Sequence, residues 1–514
     1  MHSGLRPPLC AEQVDVNALA TLGLDVEAAS VSSCGEATWG IAQLAGGPRL
    51  VVLAPREAPF LARLEGEVSD RLSATLVVGP MSPSNAAVLR ERLPWLTPTP
   101  IGIATSAGFG DRLGLATPGH IRALRAAGNG IVPVFAQQSM REMARTGRTP
   151  RQVVDDATWG AFTAGWRDGF GADADHLKEP EDIDQTLAAG FTLFTIDPGG
   201  YVNPAAETAS AADLRQALDA LSWDLLEDSF AALRRRYLGR TFDCDGTIVV
   251  FDEYTLAKAA MKYAAALVQV ARMYRRLEGT ATRAFELEVS VDETDQPTSH
   301  AEHVYIATEL ARLGVRWVGL APRLVGRFEK GVDYIGDLRE FETHFAGHAA
   351  VARALGPYKI SLHSGSDKFS VYPIAARHAR GLIHLKTAGT SYLEALRTVA
   401  QFDPQLFRQI YAFARERYEA DRASYHVSAR LDRAPEPDAV AEADLVALLD
   451  DFDAREILHV TFGSILAAVR FDIRLRALIV RHGQAYAANL ERHFVKHLAP
   501  FASALPDRSG RPGL

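Results

Sequence analysis

Glu286, Glu288, Ser290 and Asp292 alternate with Leu287, Val289 and Val291 along one short run. Successive side chains of a strand face opposite ways, so this run predicts an apolar face backed by a face of carboxylates and a hydroxyl. Burying several carboxylates together is costly unless a cation or a reacting group shares their face. The run therefore reads as the wall of a site, with at least one carboxylate among Glu286, Glu288 and Asp292 catalytic. A second run ends Asp173-Ala-Asp175-His176. A regular strand sends Asp175 and His176 to opposite faces, but a pleat that breaks near the strand's end brings both to the same mouth. Asp173 shares the parity of Asp175 and competes with it. His176, and His363 at the end of another run, are imidazole candidates for a divalent metal. His303 is a third. Ser299 and Glu302 form an S-x-x-E capping box, which sets His303 in the first turn of a helix. None of the three has a histidine four residues away, and no H-E-x-x-H spacing exists to strengthen them.

Cations accumulate near the same run ends. Arg112, Arg323, Lys368 and Lys386 suit a small anionic substrate such as a carboxylate or phosphate. Gln137, just beyond the second apolar run, joins Arg112, Lys368 and Lys386 as a candidate substrate contact. Gly108, Gly110 and Gly365 would expose backbone N–H groups to the same anion.

The elements that must position these residues are eight short apolar runs: 101–105, 132–135, 171–176, 191–197, 285–291, 317–321, 359–363 and 382–386. Most are followed by helical patterns, at 120–127, 139–145, 181–189, 299–313, 338–355, 371–380 and 391–399. Eight β-α repeats over residues 99–400 predict an α/β fold, a (β/α)8 TIM-like barrel, in which function sits at the C-terminal strand ends. A doubly wound open sheet shares the alternation; the count of eight and the lack of an early G-x-G-x-x-G favour the barrel. A helical insertion interrupts it at about 200–284, with helices at 211–238 and 255–277 around a turn at 239–243. Residues 1–98 read as a small N-terminal α/β unit, with strands at 39–44, 49–53 and 74–78, a helix at 55–72 and a Pro-rich boundary after Pro94. Residues 401–514 read as a helical C-terminal extension, with helices at 404–421, 439–449, 454–475 and 485–498 and a frayed tail at 506–514.

The chain has 514 residues, 47% of them apolar, which is ample for a core. With 63 acidic and 55 basic residues its net charge is −8, a poor balance for binding nucleic acid. Three cysteines without a C-x-x-C pair support neither a disulfide scaffold nor a thiolate zinc site. No leader pattern occupies Met1 to Cys10 and no run is long enough to span a membrane, so a cytoplasmic enzyme without a membrane partner is expected. The oligomeric state stays open, a homo-oligomer included.

Several segments together resemble one family. Gly110-Asp-Arg-Leu-Gly-Leu-Ala-Thr-Pro-Gly-His120, Phe135-Ala-Gln-Gln-Ser139, Gly171-Ala-Asp-Ala-Asp-His-Leu-Lys178, Glu288-Val-Ser-Val-Asp-Glu-Thr-Asp295 and Ser361-Leu-His-Ser-Gly-Ser-Asp-Lys-Phe-Ser370 are similar to the tagaturonate/fructuronate epimerases of hexuronate catabolism. Lys386-Thr-Ala-Gly-Thr-Ser-Tyr392 and Ser424-Tyr-His-Val-Ser428 fit as well. The resemblance runs from about residue 101 to beyond 460. It implies a metal-dependent isomerase acting on a ketohexuronate, with Asp175 as proton acceptor, Glu288 as proton donor and His176, His303 and His363 as ligands of a divalent cation (Zn, Mn, Fe, Co or Ni). The two ketouronates differ at a carbinol one carbon beyond the ketone's neighbour, where the C–H is not acidic by enolisation. The expected chemistry is therefore retro-aldol cleavage and re-addition, with the metal as Lewis acid. The alternatives are a metal-dependent ketose isomerase or aldolase acting on a sugar acid and, from another class, a non-catalytic sugar-acid binding protein.

Overall fold

A computed structural model describes Leu19, residues 22–71 and residues 74–504. Met1 to Cys10, Leu72 at the end of the expected 55–72 helix, and the tail at 506–514 lie outside the described residues.

Eight parallel strands close into a barrel. The N-terminal unit precedes it with β1 (Ser32–Cys34), β2 (Ala37–Leu44), β3 (Gly47–Ala54), β4 (Glu67–Arg71) and β5 (Ala74–Gly79). These form an antiparallel sheet of order β1-β2-β3-β5-β4. Trp39, Leu50 and Val77 from this sheet join one continuous apolar core with residues of the barrel. The expected 55–72 helix is a short 3₁₀ turn, Pro59–Arg63, followed by β4. Alternation in Glu67–Arg71 and an open edge beside β5 outweigh the helical spacing there. The helix Pro83–Arg92, capped by Ser82, is an addition to the sequence reading.

The barrel strands are β6 (Ser106–Gly110), β7 (Val132–Ser139), β8 (Gly171–Leu177), β9 (Leu193–Ile196), then, after a hairpin of β10 (Thr241–Cys244) and β11 (Thr247–Val250), β12 (Glu286–Ser290), β13 (Gly319–Ala321), β14 (Lys359–Leu362) and β15 (Ile383–Thr387). The ring closes where β15 pairs β6, with Leu385 opposite Ala107. Seven strands overlap their expected runs. The first does not: the expected run 101–105 precedes the strand, which is the glycine-rich segment Ser106–Gly110. Backbone crowds the strand at Gly110, where a Cβ would lie 2.6 Å from the Thr387 carbonyl oxygen.

The insertion is mainly helical, as expected, but its first helix is two, Ala211–Asp219 and Phe230–Tyr237. The turn foreseen at 239–243 is the β10–β11 hairpin, which reverses at Asp245-Gly246, both at positive φ. The helix Pro150–Thr163 also went unforeseen, although Thr149 and Gln152 form its capping box. In the C-terminal region the expected 454–475 helix breaks at Thr461 and Ala468 into three. The last helix, Gly483–Ser503, packs along Thr117–Ala127, the helix that follows β6; a Cβ on Gly119 would meet Leu490 at 2.6 Å. Among the described residues no helix is long and apolar enough to cross a membrane.

Candidate active site

The lumen is polar, and Lys386 is its electrostatic centre. From β15 its Nζ lies 2.8 Å from Asp173 Oδ2 and 2.8 Å from Asp175 Oδ1, both on β8, and 2.9 Å from Glu288 Oε1 on β12. It also donates to Thr195 Oγ1 at 2.6 Å. All four charged side chains are buried. Burial opposes the charge on Glu288, but Lys386 and the bond from His363 hold its carboxyl well below the usual range. The same balance, with Lys386 and His176, lowers Asp175. At Asp173 burial wins over Lys386 and lifts the carboxyl to about 6.

His176 and His363 face each other at the mouth, with ring centroids 5.0 Å apart. The strand breaks where expected: β8 shifts register against β9 between Ala174 and Leu177, and His176 has φ of 53°. That break turns both Asp175 and His176 toward the mouth. His176 Nδ1 lies 3.2 Å from Asp197 Oδ2, and His363 Nδ1 lies 3.1 Å from Asp292 Oδ1. Each imidazole thus has a carboxylate behind Nδ1, while Nε2 of His176 lies 3.9 Å from Asp175 Oδ1 and Nε2 of His363 lies 2.7 Å from Glu288 Oε1. Burial disfavours charge on both rings, yet these carboxylates carry His176 up to about 9 and His363 to about 10. Asp175, His176 and His363 offer ligand atoms within 4.8 Å of one another. A divalent cation fits this donor set: two imidazoles oriented by carboxylates, with a third carboxylate beside them, is the arrangement that orients histidine ligands.

Other expected residues have different places. His303 is buried in the helix His300–Arg312, where its Nδ1 is 2.8 Å from His348 Nδ1 and its Nε2 is 2.8 Å from Tyr358 Oη. It belongs to a nest of imidazoles with His300, His344 and His348, and does not join His176 and His363. The H-x-x-x-H spacing of His344 and His348 signals this nest in the sequence. Glu286 accepts from the backbone N–H groups of Ile101 and Gly102 at the N-terminal end of the barrel, opposite the mouth. Lys368 donates to the carbonyl oxygens of Glu329, Val332 and Ser366. Burial lowers it to about 8, and it does not line the mouth cavity. Arg323 donates its backbone N–H to Thr298.

Arg112, Gln137 and Lys386 do line that cavity. Arg112 is committed to Glu142 at 2.7 Å and stacks on Phe462, 3.5 Å from the ring centre. Gln137 donates to the carbonyl of Thr387 and leaves its buried Oε1 unbonded. Asp292 serves behind His363 rather than in the carboxylate cluster around Lys386. The cavity adds Arg141, Lys330, Ser364 and Tyr425. Lys330 had no signal in the sequence, because it lies in the long connection after β13 rather than at a strand end. Tyr425 sits in one of the segments that carried the family resemblance, and the guanidinium of Arg145 reaches its hydroxyl.

Comparison with known proteins gives a consistent result. A family model described as tagaturonate epimerase matches residues 28–501. A tagaturonate/fructuronate epimerase of Thermotoga maritima is 44% identical over 414 residues, 80% of this chain and 84% of that protein. The crystal structures of a fructuronate-tagaturonate epimerase from Cohnella laeviribosi, native and with one glycerol, superpose with TM-scores of 0.87 and 0.88. They are 34% identical to this chain, and each match covers 95% of it and 98% of theirs.

Proposed function

The chain belongs to the tagaturonate epimerase family and is an isomerase, and from that premise we propose that it interconverts D-tagaturonate and D-fructuronate with a divalent metal, in the cytoplasm. The observation that carries the metal reading is the pair of imidazoles at the mouth, each backed on Nδ1 by a carboxylate and facing Asp175 or Glu288 with Nε2. In this reading His176 and His363 would hold the cation beside Asp175, and a bound ion would supply Lewis acidity to the carbonyl chemistry.

The chain's own groups then move the protons. Asp175 accepts the proton of the carbinol hydroxyl as the bond between that carbinol and its ketone-side neighbour breaks, the electron pair passing toward the carbonyl oxygen. The aldehyde so formed turns its other face and the same bond re-forms. Protonated Lys386, 2.8 Å from Asp175 and 2.9 Å from Glu288, gives one of its protons to Glu288 as it takes the one held by Asp175. Glu288 then passes that proton to the new alkoxide, which leaves both carboxylates and the ammonium as they began.

The test is conversion of D-tagaturonate to D-fructuronate by the purified protein before and after chelation, with its metal content measured. Activity that falls on chelation and returns with an added divalent ion is expected. Full activity in metal-free protein would overturn the metal reading, and no conversion in metal-loaded protein would overturn the substrate reading.

A further inference from the structure

We propose that Lys330 is the clamp for the substrate's carboxylate, and the pivot about which the carboxylate-bearing fragment turns. The inference rests on the ketouronate reading above and adds a specificity-determining residue to it.

The argument begins from charge pairing in the mouth cavity. Arg112 is paired with Glu142, Arg141 with Glu293 at 3.0 Å, and Lys386 with three carboxylates. His176 and His363 face Asp197 and Asp292. Lys330 lines the same cavity, and among the described residues no carboxylate lies within ion-pair distance of its Nζ. Its polar contact is the Ser364 hydroxyl, at 2.6 Å. An ammonium carries three donors, so two remain to be directed into the cavity. A half-buried cation with no carboxylate in contact, drawn at longer range by Glu293, Asp292 and Glu142 and lining the cavity, is a place for an anion from outside the protein.

Position supports the assignment. Ser364 follows His363 directly and has φ of 48°, an uncommon conformation for a residue with a side chain. That turn presents the hydroxyl to Lys330 beside the proposed metal ligand. A carboxylate held by Lys330 therefore lies next to the reacting centre, as the substrate requires: its carboxylate carbon is attached one carbon away from the carbinol that inverts. Cleavage at the ketone side of the carbinol leaves the carboxylate on the aldehyde fragment, and that fragment must turn before the bond re-forms. Lysine suits this better than arginine. An ammonium is a point charge whose donors rotate, whereas a guanidinium grips a carboxylate in a fixed two-point fork.

The experiment compares wild type with Lys330→Met and Lys330→Gln, each first shown to be folded by circular dichroism and thermal unfolding. KM for D-tagaturonate is measured together with the dissociation constants of D-glycerate and glycerol; the first probe carries the carboxylate and the second lacks it. The expected result is a rise of roughly 10- to 100-fold in KM and in the D-glycerate constant, with glycerol binding unchanged, as for loss of one charge-assisted contact. Lys330→Arg should keep KM near wild type and lower kcat, because the fork resists the turn. Unchanged D-glycerate binding in both neutral variants overturns the clamp. Wild-type protein that binds D-glycerate through Lys330 but does not convert tagaturonate supports the clamp and overturns the proposed reaction, so the two failures are separable.

Discussion

Replacing Lys386 by methionine shortens the unbranched side chain by one atom and deletes the one charge that three buried carboxylates share. In the native lumen Nζ lies 2.8, 2.8 and 2.9 Å from oxygens of Asp173, Asp175 and Glu288. Without it the three carboxylates face one another in a region screened from water. Breaking a buried pair by removing one partner costs about 3–5 kcal/mol, because the charge left behind is uncompensated. Three partners on one cation act as a unit, so the cost is taken once and not three times. The expected outcome is a fall of several degrees in the apparent Tm of metal-loaded protein. The catalytic effect is larger, since both proposed proton-transfer groups depend on Lys386. Loss of general acid–base catalysis corresponds to a drop of roughly 10²–10⁴-fold in kcat. Differential scanning calorimetry and the tagaturonate assay on one preparation measure both. A Lys386→Met enzyme with wild-type Tm, or one whose kcat stays within about tenfold of wild type, would refute the reasoning.

Asp197→Asn and Asp292→Asn remove the carboxylates behind His176 and His363, and each should weaken metal binding about 10- to 100-fold in a chelator competition. Unaltered affinity in both would remove the support for the two histidines as ligands. Glu286→Gln swaps a carboxylate that accepts from two backbone N–H groups, those of Ile101 and Gly102, for an amide with one acceptor oxygen. It should lower stability by about 1.5–3 kcal/mol in denaturant titration and leave kcat intact; a selective loss of kcat would return Glu286 to the catalytic candidates. Burial, and then the neighbouring Glu329 carboxylate, lift the Glu456 carboxyl from 4.5 to about 8. The folded state therefore holds a proton that the unfolded chain releases, and the associated stability is full below pH 4.5 and lost as pH rises through about 8. Glu456→Gln keeps a donor toward Glu329 without titrating, so its Tm should vary less over that window; parallel Tm-versus-pH curves would count against this.

The barrel was legible because each strand is a short apolar run ending in polar or glycine-rich residues, and eight such runs alternate with helical patterns. The polar lumen was legible at one strand in particular. Glu288 and Ser290 share the parity that the sequence shows, and both are buried with His363 as a neighbour. The break at His176 was likewise visible as a possibility in the conflict between Asp175 and His176. Where the sequence reading went astray, local spacing favoured one structure and a distant partner decided another. The segment 67–71 pairs with β5, and the insertion's turn at 239–243 became a hairpin.

The sequence by itself determined the kinds of groups available and the end of the barrel at which most of them stand. Strand period and helix caps are local properties, and they carry that much. Which group meets which was decided only by tertiary structure, because barrel stagger brings together side chains far apart in the chain. Asp292 and His363 are one such pair, and Lys386 with Asp175 is another. The same closure sorted the lysines that composition could not tell apart. Lys368 is consumed by three carbonyl oxygens and Lys386 by three carboxylates, while Lys330 lines the cavity and donates to the Ser364 hydroxyl.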